Sequence, residues 1–295
     1  MSTSTSPSLR DAASSSPVAS STRGESSAHA TPATTRATTP AAGATVGARI
    51  GDLFIERTLN GPRRHANGGF AAGSIAQHVE ADSVTVVLER PIPLARQLEV
   101  RDDVAGGAIV WDGRRVVARA RPGRLTGDHP VPAAPSFTEA LAARARHPLA
   151  GVRHPLSDCV VCGPDRADGM HVTPGFVPDS SDRLVAPWTV DVRFAHAGLA
   201  RYPAVWAALD CPSYPARALA EGTVCLLGTM TACVERRPRV GEHLVVHSWT
   251  REQHGRRYET SATMVDAAGG LVARADATWV ALKHQRALGT MRWLR

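Results

Sequence analysis

Two stretches of the sequence repeat each other: VVLERPIPLARQLEV at residues 86–100 and ACVERRPRVGEHLVV at residues 232–246. They align without a gap and share a Glu-Arg pair and a leucine. Further along, VVARA at residues 116–120 matches LVARA at residues 271–275. Two matches in the same order along the chain indicate an internal duplication.

Each copy has the pattern of an antiparallel meander. An alternating strand is followed by a Pro-containing turn, a second strand, and two further strands that meet near Asp112-Gly113 in the first copy. A short apolar segment that suits a helix precedes each meander, from Gly68 to Glu80 and from Pro203 to about Leu219. Pro212 and Pro215 should break or kink the latter half of the second helix.

Composition and charge limit the classes of function. The 295 residues are 43% hydrophobic, which is enough for a buried core. The net charge is +7, and +6 remains when the first 48 residues, with three arginines and two acidic residues, are set aside. Because the arginines are scattered and do not line one helix, we expect no nucleic-acid partner. The positive charge would suit an anionic, phosphorylated ligand.

The first 48 residues differ from the rest of the chain. Ser, Thr, Ala and Pro dominate them without apolar periodicity, so we predict a disordered tail. No continuous apolar stretch follows Met1, as a secretion signal requires, and no stretch approaches the ~18 apolar residues of a membrane span. We therefore expect a cytoplasmic protein with no membrane partner. Its five cysteines, an odd number, are expected to be reduced thiols.

The segment between the two copies contains a helix signal. Ser136 and Glu139 form a capping-box signature that opens a helix running to about Arg146, which we interpret as a linker helix. The predicted segments are a disordered tail at 1–48, an N-terminal repeat at 49–125, a linker at 126–155, a C-terminal repeat at 156–285 and a basic C-terminal tail at 286–295.

Two motifs carry a resemblance to a known family. HANGGFAAG at residues 65–73 resembles the Asn-Gly-Gly-aromatic element that begins the helix in tandem hotdog acyl-CoA thioesterases, and CVVCGP at residues 159–164 resembles an entry segment of hotdog thioesterase-like proteins. The resemblance implies an α+β fold with two hotdog repeats in one chain, each a curved antiparallel sheet wrapped around one central helix. It implies an acyl-CoA or acyl-carrier-protein substrate, with coenzyme A only as part of the substrate and no separate cofactor. It also allows a homo-oligomer formed through sheet edges.

Asn67, Gly68 and Gly69 begin the first predicted helix. A thioester carbonyl could approach backbone N–H groups there, where a side chain would obstruct it, and the helix N-terminus would stabilise the developing oxyanion. The alternative is that the glycines only allow the helix to pack closely.

Asp210 is the acidic residue within the apolar segment of the second helix. Burying a carboxylate there is costly unless it is used or paired. By resemblance, an acidic residue on this helix activates water or attacks the acyl carbon, and it faces the helix N-terminus of the other repeat. Asp210 would then act opposite Gly68 and Gly69. The alternative is a helix-end cap or a partner for an arginine.

Enzymes of the acyl-CoA thioesterase II type orient water with Asp, Thr and Gln. The resemblance places the threonine at Thr229 or Thr231 and the glutamine near Ala277 or Thr278. Because neither of the last two is a glutamine, this trio is incomplete. That leaves hydrolysis by a different catalytic set, or a non-catalytic protein that binds acyl thioesters.

His65 supports a third hypothesis, a thioester dehydratase or hydratase, because such enzymes on this fold use a His with an acidic partner. The Asp-x-Asn-Pro run of hydratases is absent before it, so an exposed loop histidine is the alternative. Arg63 and Arg64 could meet coenzyme A phosphates or form a solvated turn.

The remaining candidates are aromatic residues and cysteines. An acyl or aryl pocket, or simply the core, would contain Phe70, Trp206 and Tyr214. Cys159 and Cys162 could bind zinc with His154 and His171, but a second tight ligand pair is missing, so we expect a turn and no metal. Cys211 could be a nucleophile, although a buried thiol is the simpler interpretation.

Overall fold

The computed structural model describes residues 47–103, 105–127, 130–149, 156–164 and 166–283. Both predicted tails therefore lie outside the described residues, apart from residues 47 and 48. The helices are α1 (Gly68–Ala76), α2 (Phe137–Ala145), α3 (Tyr202–Asp210) and α4 (Ala216–Glu221), with short 3₁₀ turns at Val192–Phe194 and Cys211–Ser213. The strands are β1 (Arg49–Leu53), β2 (Ser83–Leu88), β3 (Leu98–Asp103), β4 (Gly107–Asp112), β5 (Arg115–Pro122), β6 (Gly175–Phe176), β7 (Arg183–Thr189), β8 (Ala195–His196), β9 (Leu199–Ala200), β10 (Cys225–Val234), β11 (His243–His254), β12 (Arg257–Asp266) and β13 (Leu271–Ala281).

Eleven strands form one antiparallel sheet in the order β1-β3-β4-β5-β2-β10-β13-β12-β11-β7-β6. Outward from the centre, the order is β2-β5-β4-β3-β1 in one half and β10-β13-β12-β11-β7 in the other, with the same pattern of connections. The predicted meander is therefore correct only for the last three strands of each copy, because the first strand pairs with the last and not with the second. The two halves meet where β2 pairs with β10, and the hydroxyls of Thr85 and Thr231 hydrogen-bond across this seam at 2.8 Å. The second matching motif lies on corresponding strands, since residues 116–120 are in β5 and residues 271–275 are in β13.

Helices α1 and α3 lie against one face of the sheet and pack on each other in antiparallel directions. A Cβ added at Gly69 would lie 2.6 Å from Ala207 Cα, and one added at Gly73 would lie 2.7 Å from Pro203 Cα. The two backbones can approach this closely only because α1 has glycine at both contact positions. This contact places the N-terminus of α1 beside the C-terminus of α3.

Helix α2 covers the opposite face of the sheet, and only in its second half. The predicted capping box is confirmed, because the Ser136 side chain accepts from the Glu139 N–H and the Glu139 side chain accepts from the Ser136 N–H. Ala140 and Ala143 of α2 form a small buried cluster with Val185 of β7 and Val245 of β11. The linker helix is thus part of the packed structure.

The helix ends follow the prolines. Helix α3 ends at Asp210, a 3₁₀ turn contains Pro212, and α4 begins after Pro215, which confirms the predicted break. Helix α1 ends at Ala76, four residues before the predicted end at Glu80. No helix in the described part of the chain is long and apolar enough to cross a membrane.

Candidate active site

Asp210 lies at the meeting point of α1 and α3, where its side chain is buried. Its Oδ2 atom accepts hydrogen bonds from the Gly69 N–H and from Asn67 Nδ2, each at 2.9 Å. Its Oδ1 atom is also buried and has no hydrogen-bond partner among the described residues. One carboxylate oxygen is therefore held in place, and the other is left for a further partner.

Burial raises the pKa of Asp210 to about 7, because the charged form loses its hydration. The hydrogen bond from the Gly69 N–H opposes this shift, since it stabilises the carboxylate. The N-terminus of α1 supplies that donor, and its partial positive charge also favours a negative group there. The same helix terminus thus positions the carboxylate and offsets part of its desolvation.

Asn67 joins the helix to the carboxylate. It is the N-cap of α1: its Oδ1 accepts from the Phe70 N–H at 3.0 Å, while its Nδ2 donates to Asp210. An Asn is suited to this position because its amide both accepts and donates, whereas an ionised Asp cap could only accept.

Gly68 and Gly69, which were predicted to polarise a carbonyl, have separate places in the site. The Gly69 N–H is bonded to Asp210, and no hydrogen bond joins the Gly68 N–H to another described residue. A Cβ at Gly68 would lie 3.4 Å from Asp210 Oδ2 and 3.0 Å from Leu227 Cδ2. The alternative interpretation of these glycines as packing residues holds for Gly69, whose Cβ would meet α3 backbone at 2.6 Å.

The structure does not bring Thr229 to Asp210. Leu227 pairs with Trp279, and both side chains are buried on the helix-covered face. A β-bulge between Leu227 and Thr229 inverts the alternation, so that Thr229 pairs with Thr278 on the outward face of the sheet.

The other residues considered for the Asp, Thr and Gln trio also lie away from Asp210 or lack the required side chain. Thr231 faces outward and bonds to Thr85, and Thr278 donates to Glu259 at 2.7 Å on the same face. Ala277 is buried and has no polar side chain. The positions expected for the water-orienting Thr and Gln therefore supply no hydrogen bond to Asp210.

A polar cluster that the sequence did not suggest follows Asp210. The Ser213 hydroxyl donates to the Asp210 carbonyl at 2.7 Å and accepts from Trp279 Nε1 at 3.1 Å. Tyr214 stacks edge-on against Trp279 with ring centroids 4.9 Å apart, and its hydroxyl accepts from the Cys225 N–H. These contacts fix the end of α3, and with it the backbone of Asp210.

Three cysteines lie beside the carboxylate. The sulfur atoms of Cys159, Cys162 and Cys211 are all within 4.8 Å of one another. Hydrogen bonds from the Cys162 and Cys211 thiols hold the pKa of Cys159 well below its usual value. Asn67 Nδ2 lies 3.8 Å from both the Cys159 and the Cys211 sulfur. Cys211, predicted to be a buried thiol or a nucleophile, thus lies beside Cys159 although 52 residues of sequence separate them.

The two histidines considered as partners of these cysteines are not seen there. His154 lies outside the described residues. His171 lies with Met170 and Asp191 in the lining of a surface cleft of about 820 Å³ between α2 and β7. This cleft does not include Asp210, and none of the predicted pocket residues lines it.

The remaining predicted residues surround the site at varying distances. His65 is half-buried, its backbone pairs with Pro93, and no hydrogen bond joins it to Asp210. Arg63 lies 4.0 Å from Asp158, and Arg64 is exposed.

The three aromatic residues predicted to line a pocket are placed in or against the core. Phe70 is buried with its ring centroid 6.1 Å from that of Phe194. Trp206 is fully buried, and Tyr214 is half-buried. These placements fit the interpretation of the aromatic residues as core.

Comparison with known proteins gives structural likeness alone. No protein-family model and no curated protein sequence matches the chain. Among solved structures, a tesB protein of Mycobacterium avium subspecies paratuberculosis aligns with a TM-score of 0.52 and 14% identity, over 80% of this chain and 95% of that one. A conserved protein of unknown function with a hot dog fold, from Alicyclobacillus acidocaldarius, gives a TM-score of 0.51 and 13% identity, over 78% of this chain and 92% of that one. This likeness shows that the chain has the hotdog fold.

Proposed function

We propose that this protein hydrolyses an acyl thioester, with Asp210 as the general base and the N-terminus of α1 as the site for the carbonyl oxygen. The observation that carries the proposal is the buried Asp210 carboxylate, with Oδ2 held by Asn67 and Gly69 and Oδ1 without a partner. The fold, shared with a tesB protein, and the family resemblance of residues 65–73 support the choice of a thioester.

We further infer that the chain is a tandem pair of hotdog units with one central helix each. The repeated strand order on either side of the β2–β10 seam supports this arrangement. So does the antiparallel contact of α1 with α3, in which Gly69 meets Ala207 as Gly73 meets Pro203. The site would then combine the helix N-terminus of the first unit with the carboxylate of the second.

The reaction follows from these positions. Asp210 Oδ1 takes a proton from water as the water oxygen forms a bond to the acyl carbon. The carbonyl oxygen becomes an oxyanion, which the Gly68 N–H and the α1 dipole stabilise. The C–S bond then breaks, and the proton passes from Asp210 to the leaving thiolate, giving a carboxylic acid and a free thiol.

Free-thiol release from a panel of acyl-CoA thioesters tests the proposal. Asp210→Asn keeps the shape of the side chain and removes the base, so we expect at least about a hundredfold lower kcat. Asp276→Asn is the matched control, because Asp276 is a partly buried carboxylate on the outward sheet face. Equal rates for the wild type and Asp210→Asn, with both proteins folded, would remove Asp210 from the mechanism.

A non-catalytic acyl-thioester-binding protein is the second candidate. It is favoured by the positions expected for the water-orienting Thr and Gln, since Thr231 bonds to Thr85, Thr278 donates to Glu259 and Ala277 is apolar. A rise in Tm with acyl-CoA, without thiol release across the panel, would select this candidate over hydrolysis.

A further inference from the structure

The cysteine cluster has the spacing of a metal site. In tetrahedral zinc coordination the Zn–S distance is about 2.3 Å, which places neighbouring sulfurs about 3.8 Å apart. The sulfurs of Cys159 and Cys211 are 3.9 Å apart, and that of Cys162 lies within 4.8 Å of both. Three thiols therefore already surround one point at nearly the distances that a single ion requires.

The turn that carries two of these thiols has the form of a tight ligand pair. Cys159 and Cys162 have the Cys-x-x-Cys spacing of structural zinc sites, with a glycine directly after the second cysteine. The Gly163 N–H donates to the Cys159 carbonyl at 2.9 Å. A Cβ at Gly163 would lie 2.6 Å from the carbonyl oxygens of both Cys159 and Ser157. Only glycine fits this turn, which brings both thiols to the same side.

The third thiol and its surroundings come from a different part of the chain. Cys211 directly follows the last residue of α3, and the Asn67 amide lies 3.8 Å from its sulfur and from that of Cys159. N–H groups directed at ligand sulfurs are typical second-layer contacts of thiolate-bound metals. Cys162 and Cys211 are partly exposed and Cys159 is buried, so the cluster lies close to the protein surface.

We propose that Cys159, Cys162 and Cys211 bind one thiophilic divalent cation of the zinc class, with a fourth ligand from solvent. The ion joins the Cys-x-x-Cys turn to the end of α3. Bound there, the ion stabilises the turn against the end of α3, beside the Asn67 amide at the start of α1. The site is independent of the reaction proposed above, because it concerns metal binding and stability and not turnover.

The metal content of the purified protein tests directly whether the three cysteines bind an ion. The full chain is reduced, loaded with zinc, dialysed and analysed by mass spectrometry, with about one zinc per chain expected. Cobalt substitution should give a thiolate-to-cobalt charge-transfer band in the near ultraviolet. Cys162→Ser and Cys211→Ser should lose most of the bound metal, whereas Cys225→Ser and Cys233→Ser should retain it, because these two thiols lie outside the cluster.

Several outcomes would overturn the proposal. Less than about a tenth of an equivalent of zinc on the reduced, folded wild-type protein would do so, as would full retention of zinc by Cys211→Ser. A disulfide between Cys159 and Cys211 in the purified protein, combined with no zinc uptake after reduction, would identify a redox pair instead. Thermal unfolding of each variant shows whether lost metal reflects a lost ligand or a lost fold.

Discussion

Helices α1 and α3 have the same length and equivalent neighbours, yet they supply different parts of one site. Helix α1 begins with a capping Asn67, whereas α3 begins without a side-chain cap. Counted from the first helical residue, Pro203 stands where α1 has Gly69, and Asp210 stands where α1 has Ala76. Pro203 has no N–H to donate, and Ala76 has no carboxylate. The difference shows that a nearly symmetrical frame can hold a single polar site.

The two halves of the sheet differ in the same way on their outward faces. In the gapless alignment of the repeats, His247 of β11 corresponds to Arg101 of β3. His247 shares its face with Val245, which packs on α2, and it is 1% exposed. Arg101 is only partly buried and is paired with Glu99. Of these two described residues, only His247, on the face that α2 covers, is a buried titratable group.

Acid should weaken the second half first. Burial lowers the pKa of His247 from 6.5 to about 4, so the folded protein favours the neutral imidazole and charging favours unfolding. The neutral, buried His247 adds fully to the free energy of unfolding above about pH 6.5. This stabilisation is lost as the pH falls towards 4, which lowers the free energy of unfolding by up to about 3 kcal/mol. Denaturant unfolding at several pH values should show a shallower pH dependence for His247→Asn than for the wild type.

Amide hydrogen exchange shows which strands the charging of His247 destabilises. Amides of β11 and β12 should lose protection at pH 5 before those of β3 and β4, because Arg101 keeps its charge throughout. Parallel pH profiles for the wild type and His247→Asn, or simultaneous loss of protection in both halves, would contradict the assignment of acid sensitivity to His247.

Substitution of the glycine contact tests the closeness of the two helices. Gly69→Ala places a Cβ 2.5 Å from Asp210 Cβ and 2.6 Å from Ala207 Cα, so we expect about 1–3 kcal/mol lower stability and a displaced carboxylate. Gly228→Ala is the matched control, because its nearest atom lies at 3.4 Å. Unfolding midpoints of the two variants provide the measurement, and equal midpoints would mean that α1 can move away without loss.

Asn67→Ala separates the capping function from the site. Loss of the cap should lower stability by about 1 kcal/mol, and loss of the hydrogen bond to Asp210 should lower kcat about tenfold. Ser136→Ala removes the cap of α2 with a similar loss of stability but without an effect on kcat. If both variants retained full activity, the Asn67 amide would have no part in positioning the carboxylate.

Pro203→Ala should have the smallest effect. It restores an N–H at the start of α3, but Ala76 still offers no carboxylate opposite it. We expect unchanged kcat and a change in stability below about 1 kcal/mol. A gain of activity in this variant would show that the α3 terminus is a second, suppressed site.

The sequence predicted the local elements well because their signals are local. The capping box at Ser136 and the break at Pro212 and Pro215 each depend on residues close together in the chain, as do the consecutive strand pairs of β3-β4-β5 and β11-β12-β13. Asp210 could be predicted as a candidate site residue for a similar reason. A single acidic residue in an apolar helical segment stands out against neighbours one helical turn away.

The parts that were missed depend on the register or on distant contacts. A one-residue bulge after Leu227 places Thr229 on the other face of the sheet. Gly228 is the only local sign of this bulge, and a glycine alone does not predict one. The proximity of Cys211 to Cys159 arises from the packing of α3 against the preceding loop, across 52 residues of sequence. Neither feature can be predicted from a sequence pattern that covers only a few neighbouring residues.

The seam between β2 and β10 has a consequence for biosynthesis. Strand β2 ends at Leu88, and β10 begins at Cys225. At about 5–20 residues per second, roughly 7–27 s of translation separate the emergence of the two strands. Throughout that interval the nascent chain presents an open strand edge and the uncovered glycine face of α1, both of which favour aggregation. The first half is therefore most exposed to aggregation before the second half is made.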